Sequence, residues 1–301
     1  MCIRDRSLTI TLRELEERSS RLGYDRQRIS FIQGAGSEGV LKYDGIRAGP
    51  DGRLYCAPYN ASTVLVIDPG TQTLSFIEGA GSGGQKYFGI CAGPDGRLYC
   101  APYNASSVLV VDPWTRILTF IEGAEEGGSK YSGICAGPDG LLYCAPCVAP
   151  SVLVIDPKMR TLRFMNGAGE GGRKYWGICA GPNGQFYCAP CNSSTVLFWS
   201  IDPALRLQNL EARSQVLGFD CQRICCVEGA GEGGYKYVGI CAGPDGLLYC
   251  APYDASSVLV IDPGMSTLSF IEGAGGGAAK YDGICVGPDG RMYCAPCTAS
   301  T

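Results

Sequence analysis

Residues 89–99 read Gly-Ile-Cys-Ala-Gly-Pro-Asp-Gly-Arg-Leu-Tyr. Proline presets φ for a tight turn, aspartate caps it, and the following glycine accepts the left-handed conformation. Gly93-Pro94-Asp95-Gly96 therefore joins two short runs of aliphatic and aromatic residues as a β-hairpin. The same turn begins at Gly49, Gly93, Gly137, Gly181, Gly243 and Gly287, at spacings of 44, 44, 44, 62 and 44 residues. Working outward, Lys86-Tyr87-Phe88 precedes the hairpin, and Cys100-Ala101-Pro102 completes its second strand. Ser107-Val-Leu-Val-Val-Asp112 and Leu118-Thr-Phe-Ile121 follow.

Four short strands every 44 residues describe a unit too small to bury its own faces, stabilised by packing on its neighbours. The expected fold is all-β: a β-propeller of four-stranded blades, with six blades visible. A helical solenoid needs a periodicity these units lack, and a leucine-rich repeat is shorter, with one strand per unit. The 18 extra residues before the fifth turn read as a helical insert over about 203–217, with Leu207, Leu210 and Leu217 helically spaced. A second copy is expected over about 12–22, where Leu12, Leu15 and Leu22 match it. Residues 29–32 read as a fourth strand. The last blade stops before its third strand, so the ring either closes by mixing the termini, with residues 8–12 supplying the strand, or belongs to a longer array. Residues 1–6 look like a translated sequencing adapter and are set aside, leaving 7–301 as a single propeller domain.

Composition narrows the function classes. With 25 basic and 29 acidic residues, the chain lacks the basic excess of a nucleic-acid binder. No apolar run approaches the roughly 20 residues of a membrane helix. Neither nucleic acid nor membrane is expected as a partner, and no cofactor is called for. Cysteine recurs at packing positions, in the second strand of every unit (Cys56, Cys100, Cys144, Cys188, Cys250, Cys294) and in the first strand of five. That usage favours buried thiols and a reduced, cytoplasmic chain, with cross-strand disulfides as the alternative. The pairs Cys144/Cys147, Cys188/Cys191 and Cys294/Cys297 have metal-site spacing, but residues three apart on a strand face opposite ways. No metal site is expected.

The repeated Gly-Ile-Cys-Ala-Gly-Pro-Asp-Gly-Xaa-Leu-Tyr resembles the blade signature of streptogramin-lyase-like and NHL-type propellers and, more loosely, of gluconolactonase propellers. A lyase would imply a magnesium site and a catalytic histidine, yet the chain contains no histidine. A lactonase would imply carboxylates and an asparagine converging on one metal, whereas near-identical blades offer no singular cluster. The expectation is a non-catalytic scaffold; the competing one is a metal-dependent lactonase- or lyase-like enzyme.

Candidate ligand residues are those that ring one end of the channel. Lys42, Lys86, Lys130, Lys174, Lys236 and Lys280 precede the first-strand tyrosine in every unit, beside glycine-rich connections whose amides could hold an anion. With Tyr59, Tyr103 and Tyr253 on the loop face, they suggest a protein partner or an anionic small molecule. The plainer reading pairs each lysine with a glutamate such as Glu78, Glu122, Glu228 or Glu272. Asn60, Asn104 and Asn192 begin formal glycosylation sequons and, with Asp254, are read as local turn formers.

Overall fold

A computed structural model describes residues 31–35, 40–201 and 224–299. Phe31–Ala35 belongs to a separate N-terminal unit and is irregular. Gly36–Thr301 forms the other unit, a β-propeller. Its first blade is β1 (Tyr43–Ala48), β2 (Leu54–Pro58), β3 (Thr63–Asp68) and β4 (Thr73–Glu78). The second is β5 (Tyr87–Ala92), β6 (Leu98–Pro102), β7 (Ser107–Asp112) and β8 (Ile117–Glu122). The third is β9 (Tyr131–Ala136), β10 (Leu142–Pro146), β11 (Ser151–Asp156) and β12 (Thr161–Asn166). The fourth is β13 (Tyr175–Ala180), β14 (Gln185–Pro190), β15 (Thr195–Ser200) and β16 (Ile224–Glu228). The fifth is β17 (Tyr237–Ala242), β18 (Leu248–Pro252), β19 (Ser257–Asp262) and β20 (Thr267–Glu272), and the sixth shows β21 (Tyr281–Val286) and β22 (Met292–Pro296). In each blade the strands pair antiparallel in chain order.

The turn chemistry is the one the sequence calls for. Gly96 has φ 77°, Gly93 N–H donates to the Arg97 carbonyl at 2.8 Å, and Asp95 accepts from the Tyr99 hydroxyl at 2.8 Å. The second turn is held by Asp112, which accepts from the Trp114 and Thr115 amides at 3.0 and 3.1 Å.

Both faces of every blade are apolar, and strand alternation divides them between neighbours. In the second blade Leu98, Cys100, Leu109 and Val111 pack with Tyr55, Val64 and Val66 of the first. Tyr99, Ala101, Val108 and Val110 pack with Leu142, Cys144 and Leu153 of the third. The third and fourth blades, and the fourth and fifth, join the same way. This alternation settles the disulfide alternative. Cys91 stands opposite Tyr99 in register while Cys100 stands opposite Ile90, so the two thiols enter different clusters and form no disulfide. The Cys56 thiol, inside this packing, is pushed up to about 11 by burial.

Innermost strands meet at glycine. A Cβ on Gly45, Gly89, Gly133, Gly177 or Gly239 would stand 3.0–3.3 Å from the Cα of the matching glycine in the next blade. Gly283 in β21 has no atom within 4 Å of that position, so the junction is made five times among the described residues. The helical readings over 12–22 and 203–217, and the closing strand over 8–12, lie outside the described residues. The fourth-strand reading at 29–32 fails where it is described: Phe31 and Ile32 are not in a strand, and no described strand pairs with them.

Candidate functional site at the channel mouth

The lysines do not form an exposed ring. Lys86, Lys130, Lys174, Lys236 and Lys280 are 4–6% exposed. Each ammonium is directed at backbone carbonyls. Lys86 Nζ donates to Ala61 O at 2.6 Å and Gly83 O at 3.0 Å; Lys130 Nζ donates to Ala105 O and Gly127 O, both at 2.9 Å. Lys236 donates to Ser193 O and Gly233 O, and Lys280 to Tyr253 O and Gly277 O. The acceptor is a carbonyl and not the glutamate that the plainer reading supplied. Burial works to lower the lysine pKa; carbonyl dipoles at hydrogen-bond distance oppose it by favouring the charged form. The lysine column thus ties each glycine-rich connection to the loop between second and third strands. Lys42 is half-buried at the equivalent position of the first blade.

The sequon residues perform the matching task from the other side, and they bridge blades where local turns were expected. Asn60 Oδ1 accepts from the Gln85 amide at 2.8 Å, Asn104 from Ser129 at 2.8 Å, Asn192 from Tyr235 at 2.8 Å and Asp254 from Ala279 at 2.7 Å. The donors all stand before a lysine and all have φ of 51–55°. Arg173, the equivalent residue before Lys174, has φ 49°. Such a conformation disfavours side-chain-bearing residues; the staple supports it in four blades, while Arg173 adopts it opposite Val148, which has no such acceptor.

On the innermost strand of this scaffold one variable position stands between two constant residues. Within Lys-Tyr-Xaa-Gly-Ile the variable residue is Asp44, Phe88, Ser132, Trp176, Val238 and Asp282 in successive blades. The column lies on the innermost strand, where a register shift in most blades marks a bulge beside the glycine contact. Its aromatic members reach over the third blade to one another: Phe88 of β5 and Trp176 of β13 meet edge-on at 5.1 Å. Ser132, between them, is fully buried and donates to the Tyr175 carbonyl at 2.8 Å.

Two of the three tyrosines expected on the loop face join this cluster. Tyr59 lies 6.0 Å from Phe88 and 6.1 Å from Tyr103, and Tyr103 lies 5.6 Å from Phe88 and 6.3 Å from Trp176. Tyr253 instead lies 6.3 Å from Tyr235, over which the Arg173 guanidinium sits at 5.2 Å. Phe88, Trp176, Tyr235, Arg173, Asp44 and Asp282 are the members the repeat-based reading missed. Their signal was the variation itself, in a chain whose flanking residues are copied blade after blade.

Burial, and next the charge of Asp282, raise the Asp44 pKa from the usual 3.8 to about 7, against one hydrogen bond from the Gly89 backbone. Desolvation raises Asp282 as well. A carboxyl that keeps its proton towards neutrality, beside a second carboxyl and aromatic faces, can donate or accept a hydrogen bond and can neutralise a cation. The folded state favours the protonated form, so stability falls as pH rises from about 4 to about 7. Asp44→Asn is therefore expected to stabilise the chain by about 2 kcal/mol above that window, half the dry-site figure because solvent reaches the mouth, and to do little near pH 4. Equal melting shifts at the two ends of the range would refute the assignment.

A depression of about 430 Å³ lies on the fourth blade between the Gly167–Gly172 connection and Asn192–Thr195. Its lysine, Lys174, is the one bonded to Cys147 O, Val148 O, Ala149 O and Gly171 O.

No family model matches the sequence, and no curated protein sequence matches it. Solved structures do match. Virginiamycin B lyase from Staphylococcus aureus superposes with a TM-score of 0.68 at 13% identity, over 85% of this chain and 78% of that one. A catalytically inactive histidine-to-alanine variant of that lyase with quinupristin gives 0.67 at 13% identity, over the same 85% and 78%. An auxiliary nutrient binding protein from Bacteroides thetaiotaomicron gives 0.58 at 13% identity, over 86% of this chain and 67% of that one. The resemblance to streptogramin-lyase propellers read from the blade signature holds as a likeness of fold.

Proposed function

We propose that this propeller is a non-catalytic binding protein that holds a small molecule at the channel mouth, with the ligand's apolar or planar part against Phe88, Trp176 and Tyr59, which the buried Tyr103 backs. The observation that carries this reading is the non-repeating column. The flanking tyrosine and glycine are the same in each blade, while the position between them reads Asp44, Phe88, Ser132, Trp176, Val238 and Asp282 and lies where inner strands converge. Fold likeness extends to a binding protein as well as to a lyase. The lyase alternative is disfavoured by chemistry: this chain has no histidine, whereas replacing a histidine leaves the Staphylococcus aureus lyase catalytically inactive. Among the described residues no three acidic, cysteine or histidine side chains converge as a metal site. An anionic ligand held by the lysine ring is the less favoured reading, because Lys86, Lys130, Lys174, Lys236 and Lys280 are engaged with carbonyls.

Titration calorimetry with a neutral planar probe, 3-ethylindole, tests the site. Trp176→Ala is expected to weaken binding about tenfold, the magnitude of one lost aromatic contact. Trp114→Ala, at the exposed β7–β8 turn where the ring is 70% exposed, is expected to leave it unchanged. Equal affinities in parent and Trp176→Ala would sink the proposal.

A further inference from the structure

We propose that the ligand of this mouth is an organic ammonium ion on an aromatic or apolar body, its cation seated between Asp44 and Asp282 and its body against Phe88 and Trp176. The inference rests on the binding reading above and adds the ligand's charge to it.

Three observations carry it. First, both carboxylates occupy the repeat position that supplies Phe88 and Trp176, one from β1 and one from β21, and the charge of Asp282 reaches Asp44. Acid and aromatic ring therefore face the same space. Secondly, that combination has a chemical preference: aromatic faces carry negative quadrupole potential and attract cations, and a nearby carboxylate adds to the attraction. An anionic ligand would meet repulsion from both. Thirdly, the lysines around the mouth are bonded elsewhere, and Arg173, whose charge reaches Tyr59 and Tyr103, is shared with Tyr235. The Arg173 guanidinium lies over Tyr235, and the ammonium groups of Lys86, Lys130, Lys174 and Lys236 are bonded to loop carbonyls. Arg47, on β1, stands three residues beyond Asp44 at the cysteine position of the repeat and acts on Cys91. A bound ammonium would take the place of the proton that Asp44 retains.

The experiment compares three probes with one indole body: tryptamine, 3-ethylindole and indole-3-propionate, titrated into the full chain at about pH 8. Tryptamine is expected to bind at least about tenfold more tightly than 3-ethylindole, with indole-3-propionate weakest. In the Asp44→Asn, Asp282→Asn double variant, tryptamine is expected to fall to within about twofold of 3-ethylindole measured in the same variant, with the parent's circular dichroism spectrum reporting an intact fold. Equal affinities in the parent, or a preference that survives in the double variant, would overturn the ammonium assignment. So would thermal stabilisation by calcium or magnesium that the double variant loses, since the pair would then be an inorganic cation site. If 3-ethylindole binds and tryptamine binds no better, only the charge assignment falls; if no probe binds, the binding reading falls with it.

Discussion

Alanine at Gly177 is expected to cost about 3 kcal/mol of stability, and alanine at Gly283 only about 1 kcal/mol. The two glycines hold the same place in the repeat, on β13 and β21, and have nearly the same backbone, φ 94° and 89°. Any cost of placing a side chain at positive φ, roughly 1 kcal/mol, is therefore common to both. What differs is the neighbour. A Cβ at residue 177 would stand 3.1 Å from Gly239 Cα and 3.4 Å from its amide nitrogen, backbone atoms that move only if β13 and β17 part. Relieving such overpacking typically costs about 1–3 kcal/mol. At residue 283 no atom lies within 4 Å. Denaturant unfolding of both variants isolates the value of the glycine contact as their difference. Equal destabilisation would mean that the inner strands do not depend on that approach.

The blades were legible because turn chemistry and strand composition recur together. A Gly-Pro-Asp-Gly hairpin flanked by Tyr-Xaa-Gly-Ile-Cys and Leu-Tyr-Cys-Ala-Pro has few other ways to fold, and copying it six times makes neighbour packing the natural source of a core. Cysteine burial followed from the same logic. The disulfide alternative could be rejected only with the bulge in hand, because the register shift between Tyr87 and Ile90 sets Cys91 against Tyr99 and not against Cys100. The lysine column misled for a related reason. Its place beside a glycine-rich connection suggested amides open to an anion, but the path of that connection brings carbonyls such as Gly83 O and Gly127 O to the ammonium. The sequence cannot show which end of a peptide unit faces a side chain. Asn60 and its counterparts were read as local turns because the amides they reach, 25 or 43 residues away, belong to the next blade. The mouth was legible in principle: Asp44, Phe88, Ser132, Trp176, Val238 and Asp282 are an irregular column between constant ones. Treating the blades as near-identical hid that variation on the inner strands.

Lys174 separates the structural role of its column from a ligand role most sharply, because it makes the most contacts. Its ammonium donates to Ala149 O at 2.9 Å, Val148 O at 3.0 Å, Gly171 O at 3.3 Å and Cys147 O at 3.4 Å, in a residue 6% exposed. Lys174→Met keeps the length and apolar stem of the side chain but removes the charge, leaving acceptors that the loops shield from water. Hydrogen bonds to charged groups contribute about 1.5–3 kcal/mol, and unsatisfied buried acceptors add their desolvation cost. Since some of these carbonyls lie near enough to the surface to recruit water, the expected loss is about 3 kcal/mol, well short of the sum over four bonds. Glu170→Gln, on the same connection, is expected to change stability by less than about 0.5 kcal/mol, as the acceptors are carbonyls. At a temperature where Lys174→Met remains folded, its affinity for 3-ethylindole is expected to stay within about twofold of the parent's, because the lysine lies outside the aromatic mouth. A variant that melts like the parent but loses the probe would place Lys174 at the ligand, and the collar of carbonyl-bonded lysines would then have to be read as a binding ring.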